Sequence, residues 1–508
     1  MAKRNILIGA SFSIIYFVLN IIILPHYGLS WDYHYHHYAG LYHLGMKVPS
    51  YSEDVTIPFS APDPRLTVED PFGPFTQIIP SLSQVIFADG LKILPFDLAY
   101  NLPMVVFGSI GVLVLFLFLL EAFNFTVAII GLIALALNPV YFGYLHNNMK
   151  DIPNAAAFAL SLWLFWRLVK YKNIKSLVLS ALAFALAFNI KINSIFIPVI
   201  NGLYYLFQTK FKFRGIVPAY FFLAPLLALA VWWPFWREPI NKLLELPEFY
   251  SLNTYNMPVL FFGKILRSGI NIPVIYPYAY LLVSTPLSLV FLSIIGLIFS
   301  IYSSVRKKYS YLLVLFWFFI PLARYLSPKA GAIDGIRHFM EVLYPLSVFC
   351  GIGFYLIFKK FSAKIKITSG IILLLLLSYD IIKYHPYQTS YFNLAIGGIN
   401  GAQGKFDLDF WGTPQKEAVL WLNLNAPFDS FVHIVMAQST ASVYLRPDLA
   451  QNVNKKTIEE SDYVILLNRQ SFFGIYDVSK MPKEKEEENK IVFSRRINGV
   501  PLVWIFRK

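Results

Sequence analysis

Cysteine is nearly absent from this 508-residue chain. With Cys350 alone, no intramolecular disulfide forms, and a four-cysteine zinc site is excluded. Charge is scarce as well: only 14% of residues are Asp, Glu, Lys or Arg, against about 25% in soluble chains. So few charges do not coat the water-facing surface of a globule this size, and they exclude a disordered chain or a coiled coil. Neither a Walker-type phosphate loop nor a GxGxxG pattern is found, so no nucleotide cofactor is expected. No internal repeat is visible, which weakens the reading as an inverted-repeat transporter. What is abundant is apolar. Hydrophobic residues make up 57% and mean hydropathy is +0.56, in runs near the ~20 residues that cross ~30 Å of hydrocarbon. The chain reads as a polytopic α-helical membrane protein.

The formal charge of +14 does not point to nucleic acid, because most short Lys and Arg clusters lie just beyond the ends of apolar runs, as the positive-inside rule requires. Cys350 sits in the run LYPLSVFCGIGFYLIF and reads as a buried small hydrophobe. At the N-terminus, MAKRN precedes ILIGASFSIIYFVLNIIIL. That stretch is too long for a signal-peptide core and lacks a small-residue exit, so it reads as an uncleaved first span.

Eleven spans are predicted, at about 5–24, 99–120, 126–145, 154–169, 176–190, 193–207, 215–233, 279–302, 310–325, 339–358 and 367–382. Starting inside, the inward loops carry Lys3 and Arg4, then Arg167 to Lys175, Lys210 to Arg214, Arg306 to Lys308, and Lys359 to Lys366; only the 121–125 loop lacks a basic residue. This alternation predicts a cytoplasmic N-terminus and, with an odd span count, an extracytoplasmic C-terminus. It divides the chain into a membrane module, 1–383, and an outer domain, 384–508. The module's long first outer loop covers about 25–98. That loop is proline-rich, and its end, TQIIPSLSQVIFADGLKILPF, fits an interfacial or re-entrant helix better than a full span.

After about residue 400 the composition changes. Thr413-Pro414 reads as an N-cap and first helical residue leading into QKEAVLWLN, followed by strand-like FVHIVMA, DYVILL, IVFSRR and PLVWIF. Asn498-Gly499 between the last two is a hairpin signal. A small α/β domain is expected, with KEKEEENK at 483–490 as a solvated loop.

Charge is nearly missing from mid-membrane stretches, whereas a pump or ion-coupled carrier places it there. Instead Asp32, Lys150 with Asp151, Lys191, Arg324, Arg337 with His338, and Asp380 gather at the outer ends of spans. A site at that depth suits a substrate with a lipid anchor and a polar head. In LSWDYHYHHYAGLYHLG, a helix would align Asp32, His36 and His43 on one face. Such a face admits a general base with its orienting partners, a metal site, or plain interfacial residues beside aromatic anchors. Lys191 lies against the inward bias of positive charge, which hints at a phosphate partner, and Arg337 offers the planar fork that binds phosphate. Snorkelling to headgroups is the alternative for both.

These residues and their order resemble the C-type membrane glycosyltransferases, in particular the dolichyl-phosphate-mannose protein mannosyltransferases and the lipid A aminoarabinose transferases. The resemblance rests on the Asp after the first span, on DPFGPF, HNNMKDIP and RHFMEVLYP, and on the stretch from HPYQTSYFNLAIGG to WGTPQKEAVLWLN. It implies a sugar donor on a polyprenyl or dolichyl phosphate and transfer to a protein, lipid or polymer hydroxyl on the non-cytoplasmic face. Carried over by position, Asp32 matches the catalytic acid of the first loop and Asp151 the second acidic position. Lys191 and Arg337 match basic positions near the carrier phosphate, with Lys150 and His338 beside them. The family often places a second acid directly after the first, where Tyr33 stands here; Glu53 or Asp54 are the expected substitutes. His36 and His43 are expected to bind substrate or, with Asp32, a divalent ion. A lipid-linked-saccharide transporter and a non-catalytic assembly protein are the rival classes.

Overall fold

The computed structural model describes residues 3–48, 73–213, 215–233, 236, 238–252, 254–327, 329–476, 478 and 490–508. Helix α1 (Lys3–Ile23) runs to a short linker and α2 (Tyr33–His43), and α3 (Pro74–Gln84) packs against α2. Next come α4 (Phe96–Ala122), α5 (Phe125–Ala136), α6 (Pro139–Tyr144), α7 (Asp151–Tyr171), α8 (Ile174–Ile190), α9 (Phe196–Gln208) and α10 (Tyr220–Val231). A connecting region holds α11 (Pro239–Leu252) and a hairpin of β1 (Pro258–Phe261) with β2 (Lys264–Arg267). Helices α12 (Tyr276–Ser284), α13 (Leu287–Val305), α14 (Tyr309–Ala323), α15 (Leu343–Phe358) and α16 (Ala363–Tyr384) complete the bundle.

Among the described residues, 7 helices are long and apolar enough to cross a membrane: Lys3–His26, Phe96–Ala122, Asp151–Tyr171, Leu287–Val305, Tyr309–Leu326, Arg337–Phe358 and Ala363–Tyr384. The expectation of eleven such spans is therefore corrected. The expected 126–145 span is cut by Asn138-Pro139, where the Asn138 side chain caps α6 by accepting from Val140 N and Tyr141 N. Helix α8 has 17 residues, about 25 Å at ~1.5 Å per residue. Helix α9 has 13, and the apolar helix expected at 215–233 is shortened to Val217–Val231. Pro286 also splits the expected 279–302 span between α12 and α13. Apolar length read along the chain thus overcounts spans, because a membrane protein's interior is as apolar as its lipid face. The lipid-like face is evident on the outermost helices, where Leu7, Ile14 and Leu19 of α1 and Ile371, Leu375 and Ile382 of α16 are exposed.

Between α13 and α15 the backbones approach closely. A Cβ at Gly296 would lie 1.9 Å from Phe349 O, and one at Gly353 2.0 Å from Leu292 O. Ser293 Oγ donates to Leu346 O at 3.0 Å across the same contact. Small residues and hydrogen bonds drive such crossings in lipid, where no hydrophobic force acts between helices.

The end of the first loop is not a full span: it forms α3, which packs on α2. His37 Nδ1 bonds Ser81 Oγ at 3.1 Å, and Tyr33 OH donates to Gln84 Oε1 at 2.9 Å. Thr76 Oγ1 donates to Ile190 O at 2.7 Å, docking α3 on the end of α8.

Beyond α16 lie α17 (Gly398–Ala402), α18 (Gln415–Asn425), β3 (Val432–Ile434), α19 (Gln438–Ser442), α20 (Pro447–Asn452), β4 (Tyr463–Leu467), β5 (Ile491–Ile497) and β6 (Val500–Arg507). The sheet order is β3-β4-β6-β5, with β3 and β4 parallel and the other pairs antiparallel. All four strand-like runs form strands. Asn498 and Gly499 make the expected turn, both with positive φ (48° and 82°). Thr413 is not the helix cap: Pro414 holds that position, and Thr413 Oγ1 accepts from Asn147 Nδ2 at 3.4 Å instead. Most of KEKEEENK lies outside the described residues.

Gly353→Ala is expected to destabilise the bundle by about 1–3 kcal/mol through overpacking. Gly370→Ala, whose Cβ meets only Ile130 Cδ1 at 3.6 Å, should melt near wild type. Equal melting temperatures for the two variants in detergent would contradict the close crossing.

Candidate functional site

The charged residues expected at outer span ends meet at one end of the bundle, except Asp380, which accepts from Tyr391 OH at 3.1 Å instead. Asp32 sits at the N-cap position of α2, but its side chain makes no cap bond. Its Oδ2 instead accepts from Lys150 Nζ at 2.6 Å and lies 3.7 Å from Arg337 Nη1. Asp151, the first residue of α7, takes Lys191 Nζ on Oδ1 and faces Arg337 Nε from Oδ2 at 3.8 Å. One chain of alternating charge therefore runs Lys150, Asp32, Arg337, Asp151, Lys191, carried by the starts of α2, α7 and the segment entering α15, and by the end of α8.

Local chemistry explains each placement. In HNNMKDIP, Asn148 Oδ1 accepts from Asp151 N at 2.7 Å and Lys150 N at 3.1 Å, while its Nδ2 donates to Asp151 Oδ2 at 2.9 Å. One amide thus takes up the first N–H of the helix and orients the carboxylate. Asp334-Gly335 forms a left-handed turn (φ 55° and 64°), a backbone region that Asp tolerates and Gly adopts freely. The turn aims Asp334 Oδ2 at Arg337 Nη2, 3.1 Å away. The Arg337 guanidinium lies 4.8 Å from the Trp411 ring centroid, so an aromatic face covers one side of the cation. His338 Nε2 is 3.3 Å from Arg337 Nη2. The His338 carbonyl accepts from Asn193 Nδ2 at 2.8 Å and from Arg324, tying this segment to the turn that carries Lys191.

The two carboxylates differ in access. Asp32 is a third exposed (33%), whereas Asp151 is 2% exposed and Arg337 8%. Asp32 can meet an incoming group; Asp151 acts on the cations around it. Burial drives the Asp32 carboxyl upward, but Lys150 and Arg337 outweigh it and hold it well below the usual carboxylate range. Burial, with Lys150 and Arg337 adding to it, holds the His36 imidazole well below its usual value and hence neutral at pH 7.

Of the expected site residues, the structure brings together Asp32, Lys150, Asp151, Lys191, Arg337 and His338, with His36 near Asp32. His43 is engaged elsewhere, bonding Gln77 Oε1 at 2.9 Å and meeting Trp233 edge-on. The Asp32, His36 and His43 trio therefore does not form a metal cage. Among the described residues, no three His, Cys, Asp or Glu side chains gather to hold an ion. Glu53 and Asp54 lie outside the described residues. Sequence reasoning missed Asp334, Asn148, Asn193, Trp411 and Arg469, the last donating to Asp334 Oδ1 at 2.6 Å.

Residues 90–237 match the family model described as dolichyl-phosphate-mannose-protein mannosyltransferase. No curated protein matches by sequence. Among solved structures, the chain is similar to ArnT from Cupriavidus metallidurans bound to undecaprenyl phosphate. The TM-score is 0.53 at 11% identity, over 99% of this chain and 98% of that one. It is also similar to the archaeal oligosaccharyltransferase AglB from Archaeoglobus fulgidus in complex with an inhibitory peptide and a dolichol-phosphate. There the TM-score is 0.50 at 12% identity, over 92% of this chain and 72% of that one. The fold is that of the C-type membrane glycosyltransferases.

Because the folded state favours ionised Asp32, its stabilisation is full above the unfolded value near about 4 and fades as pH falls through the depressed folded value. The melting-temperature gap between wild type and Asp32→Asn should be widest at neutral pH and narrow below about pH 4. A gap independent of pH contradicts the ion-pair assignment.

Proposed function

We propose that the protein transfers a sugar from a polyprenyl- or dolichyl-phosphate donor to an acceptor hydroxyl on the non-cytoplasmic face of the membrane, with inversion at the anomeric carbon. The carrying observation is the rim cluster itself, in which Lys150 and Arg337 pair with one reachable carboxylate, Asp32, while Lys191 pairs with the neighbouring Asp151. The family match and the shared fold support the same reaction class.

In this reading the carrier phosphate docks among Lys150, Arg337 and Lys191. The acceptor oxygen attacks the anomeric carbon and its proton passes to Asp32. The bond from that carbon to the phosphate oxygen breaks, its electron pair leaves with the phosphate, and the fixed cations stabilise the growing charge. Docking also tunes the base. Resting Asp32 is held by Lys150 and Arg337, the two cations an arriving phosphate would engage, so the carboxylate becomes more basic once the donor is seated. His338 supports Arg337, and His36 packs beside Asp32 as a neutral, uncompeting group.

The orientation follows from the charge alternation: a cytoplasmic N-terminus, a membrane module of residues 1–383, and an extracytoplasmic domain of residues 384–508. The first outer loop supplies α2, at whose start Asp32 sits, and in a prokaryotic cell the membrane is the plasma or inner membrane.

Purified protein given a polyprenyl-phosphate sugar and a hydroxyl acceptor should release polyprenyl phosphate and glycosylate the acceptor. Asp32→Asn should lower turnover by at least about 1,000-fold while leaving expression and folding intact. Near-normal turnover in that variant removes Asp32 from the mechanism. Movement of intact donor across liposomes without transfer would instead identify a carrier.

A further inference from the structure

Arg469 follows β4 in the C-terminal sheet, far along the chain from the rim cluster, yet it reaches into it. Its Nη2 donates to Asp334 Oδ1 at 2.6 Å and its Nη1 to Phe410 O at 3.0 Å. The guanidinium stacks 3.7 Å from the Phe472 ring centroid and lies 5.4 Å from that of Trp31, the residue before Asp32. Both Arg469 and Asp334 are buried. The second oxygen of Asp334 faces Arg337 Nη2 at 3.1 Å. One carboxylate is thus shared between two arginines, one from the sheet and one from the site.

The sharing matters because of charge. A buried carboxylate with one cationic neighbour binds that neighbour fully. Without Arg469, Asp334 would be neutralised by Arg337 alone. That would draw the guanidinium towards Asp334 and away from its looser contacts with Asp32 and Asp151 at 3.7 and 3.8 Å. With Arg469 in place, Asp334 is already satisfied, and Arg337 keeps charge and donors for an incoming anion.

We propose that Arg469 is a positioning residue, through which the C-terminal sheet sets the affinity of the site for its anionic lipid donor by relieving Arg337 of Asp334. The inference rests on the transferase reading above and adds that this part of the chain governs donor binding. It distinguishes two uses of Asp334. If Asp334 only glued the sheet to the bundle, losing it together with Arg469 would compound the damage. If Asp334 sequesters Arg337 whenever Arg469 is absent, removing both charges restores the site.

The test uses the full-length protein in detergent, with undecaprenyl monophosphate as the binding probe and an undecaprenyl-phosphate sugar for kinetics. Arg469→Gln should weaken probe binding and raise the donor KM by about tenfold, as expected for one charged hydrogen bond, with kcat nearly unchanged. Adding Asp334→Asn to that variant should bring both values back to within about threefold of wild type. Arg469→Lys keeps the charge but cannot serve Phe410 and Asp334 together, so it should show a smaller loss of the same kind, and it decides the matter if the Gln variant does not fold. Wild-type donor affinity in the Gln variant, or in the Lys variant where only that one folds, overturns the inference. So does a double variant as weak as the single one. If wild type itself neither binds the probe nor transfers sugar, the transferase reading falls and the inference with it. If wild type does both and Arg469→Gln matches it, only the inference falls.

Discussion

The structure is organised around one buried guanidinium. Arg337 lies at the rim of the helical bundle, 8% exposed, among Asp32, Asp151 and Asp334. Removing such a charge from water costs several kcal/mol unless its partners are close and well oriented. Each partner is fixed by a different element: Asp32 by the start of α2, Asp151 by the start of α7, and Asp334 by a left-handed turn before α15. The ends of distant helices must converge for this cation to be tolerated at all. The ion pairs join four cations (Lys150, Lys191, Arg337 and Arg469) to three carboxylates.

The carboxylates differ in depth. Asp151, sealed between Lys191 and Arg337, holds cations in place, and its charge is spent on them. Asp32, a third open, is the one whose oxygen can face an incoming molecule. The C-terminal region is built into the same geometry. Trp31 N donates to Trp411 O at 3.1 Å, and Thr440 Oγ1 donates to Ser30 O at 3.3 Å. Lys416 Nζ, from α18, bonds Pro25 O, Tyr27 O and Asp97 Oδ2. The segment that delivers Asp32 is thus gripped from the sheet side as well as from the membrane side.

Much of this was legible in the chain. Charge is so costly inside an apolar run that residues such as Asp32, Lys150, Asp151, Lys191 and Arg337 stand out at span ends, and the structure joins all five. The sheet strands followed from short, strand-like apolar runs and from Asn498-Gly499, whose turn geometry few other pairs adopt. Helix length was less legible. Nothing in apolar composition separates a lipid-crossing helix from a buried shorter one, so a break such as Asn138-Pro139 had to be read as a cap rather than as part of a span. Long-range partners were the hardest. Arg469 sits 135 positions from Asp334, in a stretch that reads as an ordinary strand end. Asp334 itself carried a weak signal, an Asp-Gly turn three residues before Arg337. His43 showed the limit of helical periodicity, which aligns residues on a face without saying what packs against it; here Gln77 and Trp233 occupy it.

The most direct measurement of the central claim is a thermal-shift titration of the purified protein with a polyprenyl monophosphate against the polyprenol of the same chain length. If the rim cations are built for an anionic headgroup, the phosphate raises the melting temperature in a saturable way and the alcohol does not. Equal shifts from both would mean that the hydrocarbon chain alone carries binding, and the cluster around Arg337 would have no part in it.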